Sequence, residues 1–359
     1  MSHFKSFKED LLQLLSVERV APVYAIGKNQ ETVNLNKSIP LNGILDDSCL
    51  IGETWEGIKV QKPDTLPYDA IIVNCSTSIA PISAEKRIRL LHPDKLIIKY
   101  WEIANARPSS FPLPFFVQEM AADYENNRVK WDKVKALLAD KASLKVFDDI
   151  TKFRLSGDYT FMADYSVRLA DQYFESFFEL KKGEVFVDCG GFDGDTTEQF
   201  CKRCPEYEQV WFFEPSPANM AKATSRLAGC HNIHFAQEGV SNQGGQLSFN
   251  PDAGSASSVS AIGDVRIPVT TVDAKISGPV SFIKMDLEGW EMNALGGAKQ
   301  CILNNHPKLA IAVYHSAPDF WKIPELILSM RSDYDIYLRH YTEGWSETVM
   351  YFIPQKQNG

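Results

Sequence analysis

The sequence predicts two α/β units, each a doubly wound parallel sheet, with the second sheet finished by an antiparallel hairpin. Short apolar runs such as PVYAIG (22–27), YDAIIVNCS (68–76) and VWFFEP (210–215) alternate with helical patterns. That alternation marks parallel strands covered on both faces. It breaks at the proline-rich RPSSFPLP (107–114) and resumes near residue 184. At 359 residues the chain is too long for one ordinary core and suits two domains.

Each element follows from its local pattern. MSHFKSFKEDLLQLL reads as an amphipathic helix with Phe4, Phe7, Leu11, Leu14 and Leu15 on one face, without a signal peptide's long apolar core or cleavage site. Strands at 22–27, 39–47, 68–76 and 95–101, with a helix at 85–91, form a smaller N-terminal Rossmann-like domain over 1–110. A helical linker region follows over 111–170, with one long pattern at 129–150. The third region, 171–359, has strands at 184–188, 209–214, 232–237, 280–286 and 308–314, and helices near 195–204, 216–228, 289–304 and 319–331. DIYLRHYT and ETVMYFIP flank the turn-like EGWS and read as a hairpin in place of another crossover.

Composition narrows the function. A net charge of −9 with no Lys/Arg stripe argues against a nucleic-acid partner. No apolar run of roughly eighteen residues exists, so no membrane span is expected. The seven cysteines are scattered through apolar segments and suit a reducing cytoplasm. Cys201 and Cys204 form a lone CxxC, read as ordinary thiols ahead of a zinc site.

The chemistry concentrates at strand tips, where ligands of open α/β sheets bind. EVFVDCGGFDGDTTEQF (184–200) delivers Asp188 and then the glycines 190, 191 and 194, which let backbone N–H groups approach a ligand. The next strand ends in Glu214, placed to take both hydroxyls of a ribose, and the third supplies Gln237 and Glu238 for an adenine edge. The dinucleotide signature G-x-G-x-x-G is absent, and Asp188, Asp193 and Asp195 around the turn would repel a diphosphate. Three carboxylates suit a ligand carrying an ammonium and a sulfonium, which favours S-adenosylmethionine over NAD.

D-x-G-x-x-x-G followed by a strand ending in Glu resembles motif I and the ribose acid of class I S-adenosylmethionine-dependent methyltransferases. YFESFFELKKGEVFVDCGGFDGDTTEQF, VTTVDAKI and FIKMDLEGWEMNALGGAKQCI together resemble the FkbM family of methyltransferases, over about residues 172–353. That resemblance implies a class I Rossmann-like fold and an O-methyltransferase acting on a sugar hydroxyl, of a surface polysaccharide or its lipid-linked precursor. It carries over Asp188, Gly190, Gly194, Glu214 and the KMDLEGWE segment. One departure stands out: the strand at 308–314 ends in Tyr314-His315, where an acid is expected before the His.

Methyl transfer to an alcohol also needs a proton acceptor or a metal. Candidate catalytic residues are Lys284, Asp286, Glu288 and His315, with His315 the first choice as base because its ordinary pKa lies near neutrality. The donor site is read as Asp188, Gly190, Gly191, Gly194, Asp195, Thr196, Glu214, Gln237, Glu238 and Asp286. Asp286, Glu288 and Glu291 can offer oxygens to Mg²⁺, although no metal is expected and such acids also suit a helix start. Asp171, Gln172 and Tyr173 can close over the donor or simply pack. The small polar stretch 250–263 reads as an acceptor-side loop or a plain turn.

In the first domain Gly27 and Asp46 have roughly dinucleotide spacing without the glycine fingerprint. LNGILDDSCLIGETWEGIKVQKPDTLPYDAIIVNCS resembles the Rossmann-like domains that precede bacterial sugar acyltransferases, which implies a glycan or nucleotide-sugar partner. An arm for homodimerisation is the alternative there. For the whole chain the alternatives are a non-catalytic nucleotide or sugar binder, a methyltransferase of a non-sugar natural product, and an NAD-dependent sugar-modifying enzyme.

Overall fold

The computed structural model describes residues 21–249 and 265–356; the expected N-terminal helix and the 250–263 stretch lie outside them. The described residues divide into two units. The first gathers those up to Gln118 with Asp149–Val167 and Thr342–Ser346, and the second holds Glu119–Asp148, Arg168–Tyr341 and the chain from Glu347 onward.

In the first unit, β1 (Val23–Ile26), β2 (Gly43–Leu45), β3 (Thr54–Trp55), β4 (Ile58–Gln61), β5 (Ile71–Asn74) and β6 (Leu96–Lys99) form one sheet in the order β3-β4-β2-β1-β5-β6. All pairings are parallel except β3 with β4. Val23 and Ala25 face a core with Leu35, Val73 and Ile98, while Tyr24 and Ile26 face another with Leu45, Ile72 and Ile88. Burial on both faces is why these strands read as unbroken apolar runs. The sheet order reverses between β1 and β5. Gly27 (φ +103°) is bare there because a Cβ would stand 3.0 Å from the Ser76 amide nitrogen. A cleft of about 250 Å³ opens at these tips, lined in part by Gly27, Lys28, Asp46, Asp47, Ser76 and Arg87.

In the second unit, β7 (Val185–Cys189), β8 (Gln209–Phe213) and β9 (Ile233–Ala236) lead to a small separate sheet of β10 (Gly239–Val240), β11 (Gly245–Phe249) and β12 (Val265–Thr270). The chain then returns to the large sheet with β13 (Phe282–Met285), β14 (Lys308–Ala312), β15 (Tyr334–His340) and β16 (Thr348–Pro354), in the order β15-β16-β14-β13-β7-β8-β9. β15 and β16 are the antiparallel hairpin expected around EGWS. Phe186 of β7 packs 4.5 Å from both Phe200 and Phe282, ring to ring, anchoring the following helix and β13 on one face.

Three boundaries differ from the sequence reading. The 95–101 strand stops at Lys99, and the buried Tyr100 and Trp101 open helix Tyr100–Ala106, closed by Glu102 accepting the Lys99 amide at 2.8 Å. The 129–150 pattern is two helices, Arg128–Leu137 and Lys141–Ser156, because Asp140 accepts the Ser143 amide at 2.7 Å and starts a new turn. The 289–304 helix is interrupted at Gly296-Gly297, where a Cβ on Gly297 would sit 2.0 Å from the Ser241 carbonyl oxygen. The hairpin β3–β4 and the small sheet were not anticipated. All seven cysteines are free thiols. Among the described residues no helix is long and apolar enough to cross a membrane.

Glu31, in the first turn of helix Gln30–Ser38, is only 9% exposed. Burial lifts its carboxyl from 4.5 to about 7. The folded state therefore holds this proton more tightly than the unfolded chain. The stability it contributes is complete below pH 4.5 and is lost as pH rises through about 7. Glu31→Gln is expected to raise the melting temperature at pH 8, by up to about 3 kcal/mol of stability, and to change little at pH 4. Thermal unfolding of both proteins across pH checks this.

Candidate active site

The large sheet reverses between β7 and β13, and such a reversal opens a crevice at the carboxyl ends of the two strands. Asp188 and Lys284 are register partners across that seam. Lys284 Nζ lies 3.0 Å from Asp188 Oδ1 and donates to the Gly190 carbonyl at 2.7 Å. The Thr197 hydroxyl donates to Asp188 Oδ2, also at 2.7 Å. Both charged side chains are buried, at 4% and 0% exposure. Burial pulls the Lys284 ammonium down, but Asp188 and Asp286 more than offset it and hold the pKa above its ordinary value.

Above this pair the turn is bare for steric reasons. Gly190 (φ +80°) has no room for a Cβ, which would stand 1.9 Å from the Asp286 carbonyl oxygen. A Cβ on Gly191 would sit 2.1 Å from the Phe212 ring, so the turn is pressed from β13 on one side and β8 on the other. Gly194 (φ +86°) opens helix Asp195–Arg203. Glu214, just past β8, folds back under the turn: Oε2 accepts the Phe192 amide at 3.0 Å and Oε1 the Ser216 amide at 2.8 Å. Burial holds its carboxyl above the usual carboxylate range.

Beside the turn, past the end of β13, lies a pit of carboxylates around one imidazole. His315 Nδ1 is 2.9 Å from Glu291 Oε1, and Nε2 is 3.5 Å from Asp286 Oδ1 and 3.4 Å from Glu288 Oε2. Burial alone would lower its pKa; Glu291, Asp286 and Glu288 outweigh burial and lift it to about 10. The Tyr173 hydroxyl donates to Asp286 Oδ2 at 2.8 Å, and Tyr314 lies 3.3 Å from both oxygens. Asp319 and Glu347 crowd the same pit, each lifted by burial to about 7. Tyr173, Glu288 and Glu347 all hold left-handed backbone, at φ +73°, +52° and +65°. Non-glycine residues adopt that conformation at a cost and persist in it where surrounding structure fixes them.

Residues 188–342, which begin on Asp188 and take in the glycine turn, the seam and most of the pit, match the family described as Methyltransferase FkbM domain. Over that stretch the chain is similar to FkbM methyltransferases. The crystal structure of Methyltransferase FkbM from Methylobacillus flagellatus KT superposes with a TM-score of 0.70 and 22% identity, over 97% of this chain and 96% of that one. At that identity the likeness establishes the fold. An rRNA methylase from Streptococcus thermophilus aligns over 49% of this chain and 90% of its own, with 14% identity and a TM-score of 0.34. Aeropyrum pernix fibrillarin, in complex with natively bound S-adenosyl-L-methionine, aligns over 52% and 74%, with 12% identity and a TM-score of 0.32. No curated protein matches the chain.

The second unit sorts the expected site residues by position. Asp188, Gly190, Gly191, Gly194, Lys284 and Asp286 meet at the seam, with His315 and Glu288 alongside. Asp195 and Thr196 start the helix beyond the turn, and the Thr196 amide donates to Asp195 Oδ1 at 2.7 Å. Gln237 and Glu238 lie past β9, two strands away; Gln237 is exposed and Glu238 pairs with Lys275 at 2.5 Å. The crowd of negative charge around the turn is smaller than its sequence suggests, because Asp188 is spent on Lys284 and Asp193 pairs with Arg226 at 2.7 Å. The dense charge sits in the pit instead. The carboxylates around His315 raise its pKa above the near-neutral value on which its choice as base rested. In the first unit Asp46 is taken by Lys28 at 2.7 Å. Sequence reasoning gave no site role to Tyr314, Asp319 or Glu347, which come from separate elements; only the Tyr-His pair at 314–315 hinted at one.

Lys284→Met leaves Asp188 buried without its countercharge and is expected to destabilise the second unit by about 3–5 kcal/mol. Adding Asp188→Asn to that variant should restore most of the loss. Denaturant unfolding of the two variants measures both steps.

Proposed function

We propose that the protein is an S-adenosylmethionine-dependent O-methyltransferase acting on a sugar hydroxyl. One observation carries this reading: at the reversal of the sheet a bare glycine turn, a ribose-suited acid at the next strand tip and an acid-lined pit stand side by side. Gly190, Gly191 and Gly194 offer backbone to the donor, with Asp195 and Thr196 at the helix start beside it. Glu214 takes the ribose hydroxyls; its two oxygens already accept amides, and a carboxylate has about four acceptor sites, so room for both remains. Gln237 reaches toward the adenine. Asp188 acts through Lys284 and the turn it holds, as a positioning residue.

The acceptor hydroxyl lies on the pit side, where the attacking oxygen must line up with the donor's sulfonium carbon. As the carbon–sulfur bond breaks and the carbon–oxygen bond forms, the hydroxyl proton leaves to the carboxylate of Asp286, which faces His315. Carboxylates and tyrosine hydroxyls also suit the hydroxyl-rich edge of a sugar. For the N-terminal domain expected over 1–110, the cleft at the tips of β1 and β5 supports a nucleotide-sugar or glycan ligand, since it combines Lys28 and Arg87 with Asp46 and Asp47 at a sheet reversal.

Calorimetry with S-adenosylhomocysteine is expected to show one site in the wild type and a roughly 10- to 100-fold loss of affinity in Glu214→Ala, the value of hydrogen bonds to a charged group. Tight NAD binding with no response to the donor would sink the reading. His315→Ala should leave donor affinity unchanged and cut turnover on glycan acceptors by roughly a hundredfold or more, read by methyl transfer from labelled donor.

A further inference from the structure

The pit around His315 has the wrong spacing for an ordinary hydrogen-bonded histidine. Its side chain is 9% exposed, yet neither ring nitrogen makes an aligned hydrogen bond. Nδ1 is close to Glu291 Oε1, at 2.9 Å, while Nε2 faces Asp286 Oδ1 and Glu288 Oε2 at 3.5 and 3.4 Å. The latter two distances exceed the roughly 2.7–3.2 Å of an N–H···O bond. They approach the separation of two ligands on one metal: atoms about 2.1 Å from an ion and 90–110° apart lie roughly 3.0–3.4 Å from each other. Glu291 Oε2 is likewise buried without a partner.

The surrounding groups fit the same arrangement. Asp286 Oδ2 is held by the Tyr173 hydroxyl, which leaves Oδ1 turned to the imidazole. Glu291 Oε1 accepts the Leu287 amide at 2.6 Å, so this carboxylate is fixed next to Nδ1. Lys284, the nearby lysine, is spent on Asp188 and the Gly190 carbonyl.

We propose that Asp286, Glu291 and His315, each of which can offer one ligand atom within 4.8 Å of the other two, bind one divalent transition-metal ion, with Glu288 beside them. An imidazole with two carboxylates selects Mn²⁺, Fe²⁺, Co²⁺ or Zn²⁺ over Mg²⁺ and Ca²⁺, which prefer all-oxygen sets. Three protein ligands leave positions open for an acceptor oxygen, whose proton the ion makes easier to remove. Only that last role rests on the methyltransferase reading.

The test uses the full chain, stripped with chelator and titrated with Mn²⁺ while the free-ion paramagnetic resonance signal is followed. One Mn²⁺ per chain is expected, with Asp286→Asn, Glu291→Gln and His315→Ala each weakening it by roughly 10- to 100-fold. Thermal melts of each variant establish that it is folded, and Asp286 is the most exposed of the three ligands. Absence of stoichiometric binding, binding indifferent to Glu291→Gln and His315→Ala, or Mg²⁺ competing as an equal would each overturn the proposal. Calorimetry of S-adenosylhomocysteine on the stripped protein separates the two readings. Donor binding without Mn²⁺ uptake sinks this site alone, and Mn²⁺ uptake without donor binding sinks the methyl-transfer reading while leaving the metal site standing.

Discussion

The buried ion pair between Asp188 and Lys284 is the constraint on which the site's geometry depends. It spans the seam where the large sheet reverses, and both partners are buried, so its two charges must stay matched in position. The Lys284 ammonium then fixes the Gly190 carbonyl, and with it the glycine turn. The same strand that carries Lys284 delivers Asp286 two residues on, into the pit. One interaction thereby sets the register of two neighbouring sites, one bordered by backbone and the other by carboxylates.

Charge is distributed between those sites in a way that a count of acids conceals. Around the turn, lysine and arginine cancel two of the three aspartates. In the pit, Asp286, Glu288, Glu291, Asp319 and Glu347 gather about a single imidazole. Protons answer part of that imbalance, as the raised carboxyls of Glu288, Asp319 and Glu347 indicate. A bound cation would answer it more completely, and the open geometry at His315 Nε2 is where one fits.

Much of this was legible in the sequence because it was local. Continuous apolar runs gave the parallel strands, EGWS gave the hairpin, and acids at strand tips pointed to the seam. Breaks inside the helical patterns were missed since they depend on single residues, Asp140 as a new cap and Gly297 pressed against Ser241, that leave hydrophobic spacing intact. The pairing of Asp193 with Arg226 and of Glu238 with Lys275 joins residues more than thirty positions apart, which no spacing rule reports. The pit was the least legible part. Tyr173, Glu288, Tyr314 and Glu347 come from four separate stretches, and what unites them is the carboxylate of Asp286 and the ring of His315.

The left-handed backbone at Tyr173, Glu288 and Glu347 has a bearing on any attempt to harden this protein against heat. Glycine would relieve each of those positions, and removing a crowded acid would relieve its neighbours too. A screen that rewarded survival alone would therefore be drawn to these three residues and would erode the pit first, yielding robust molecules with their chemistry gone.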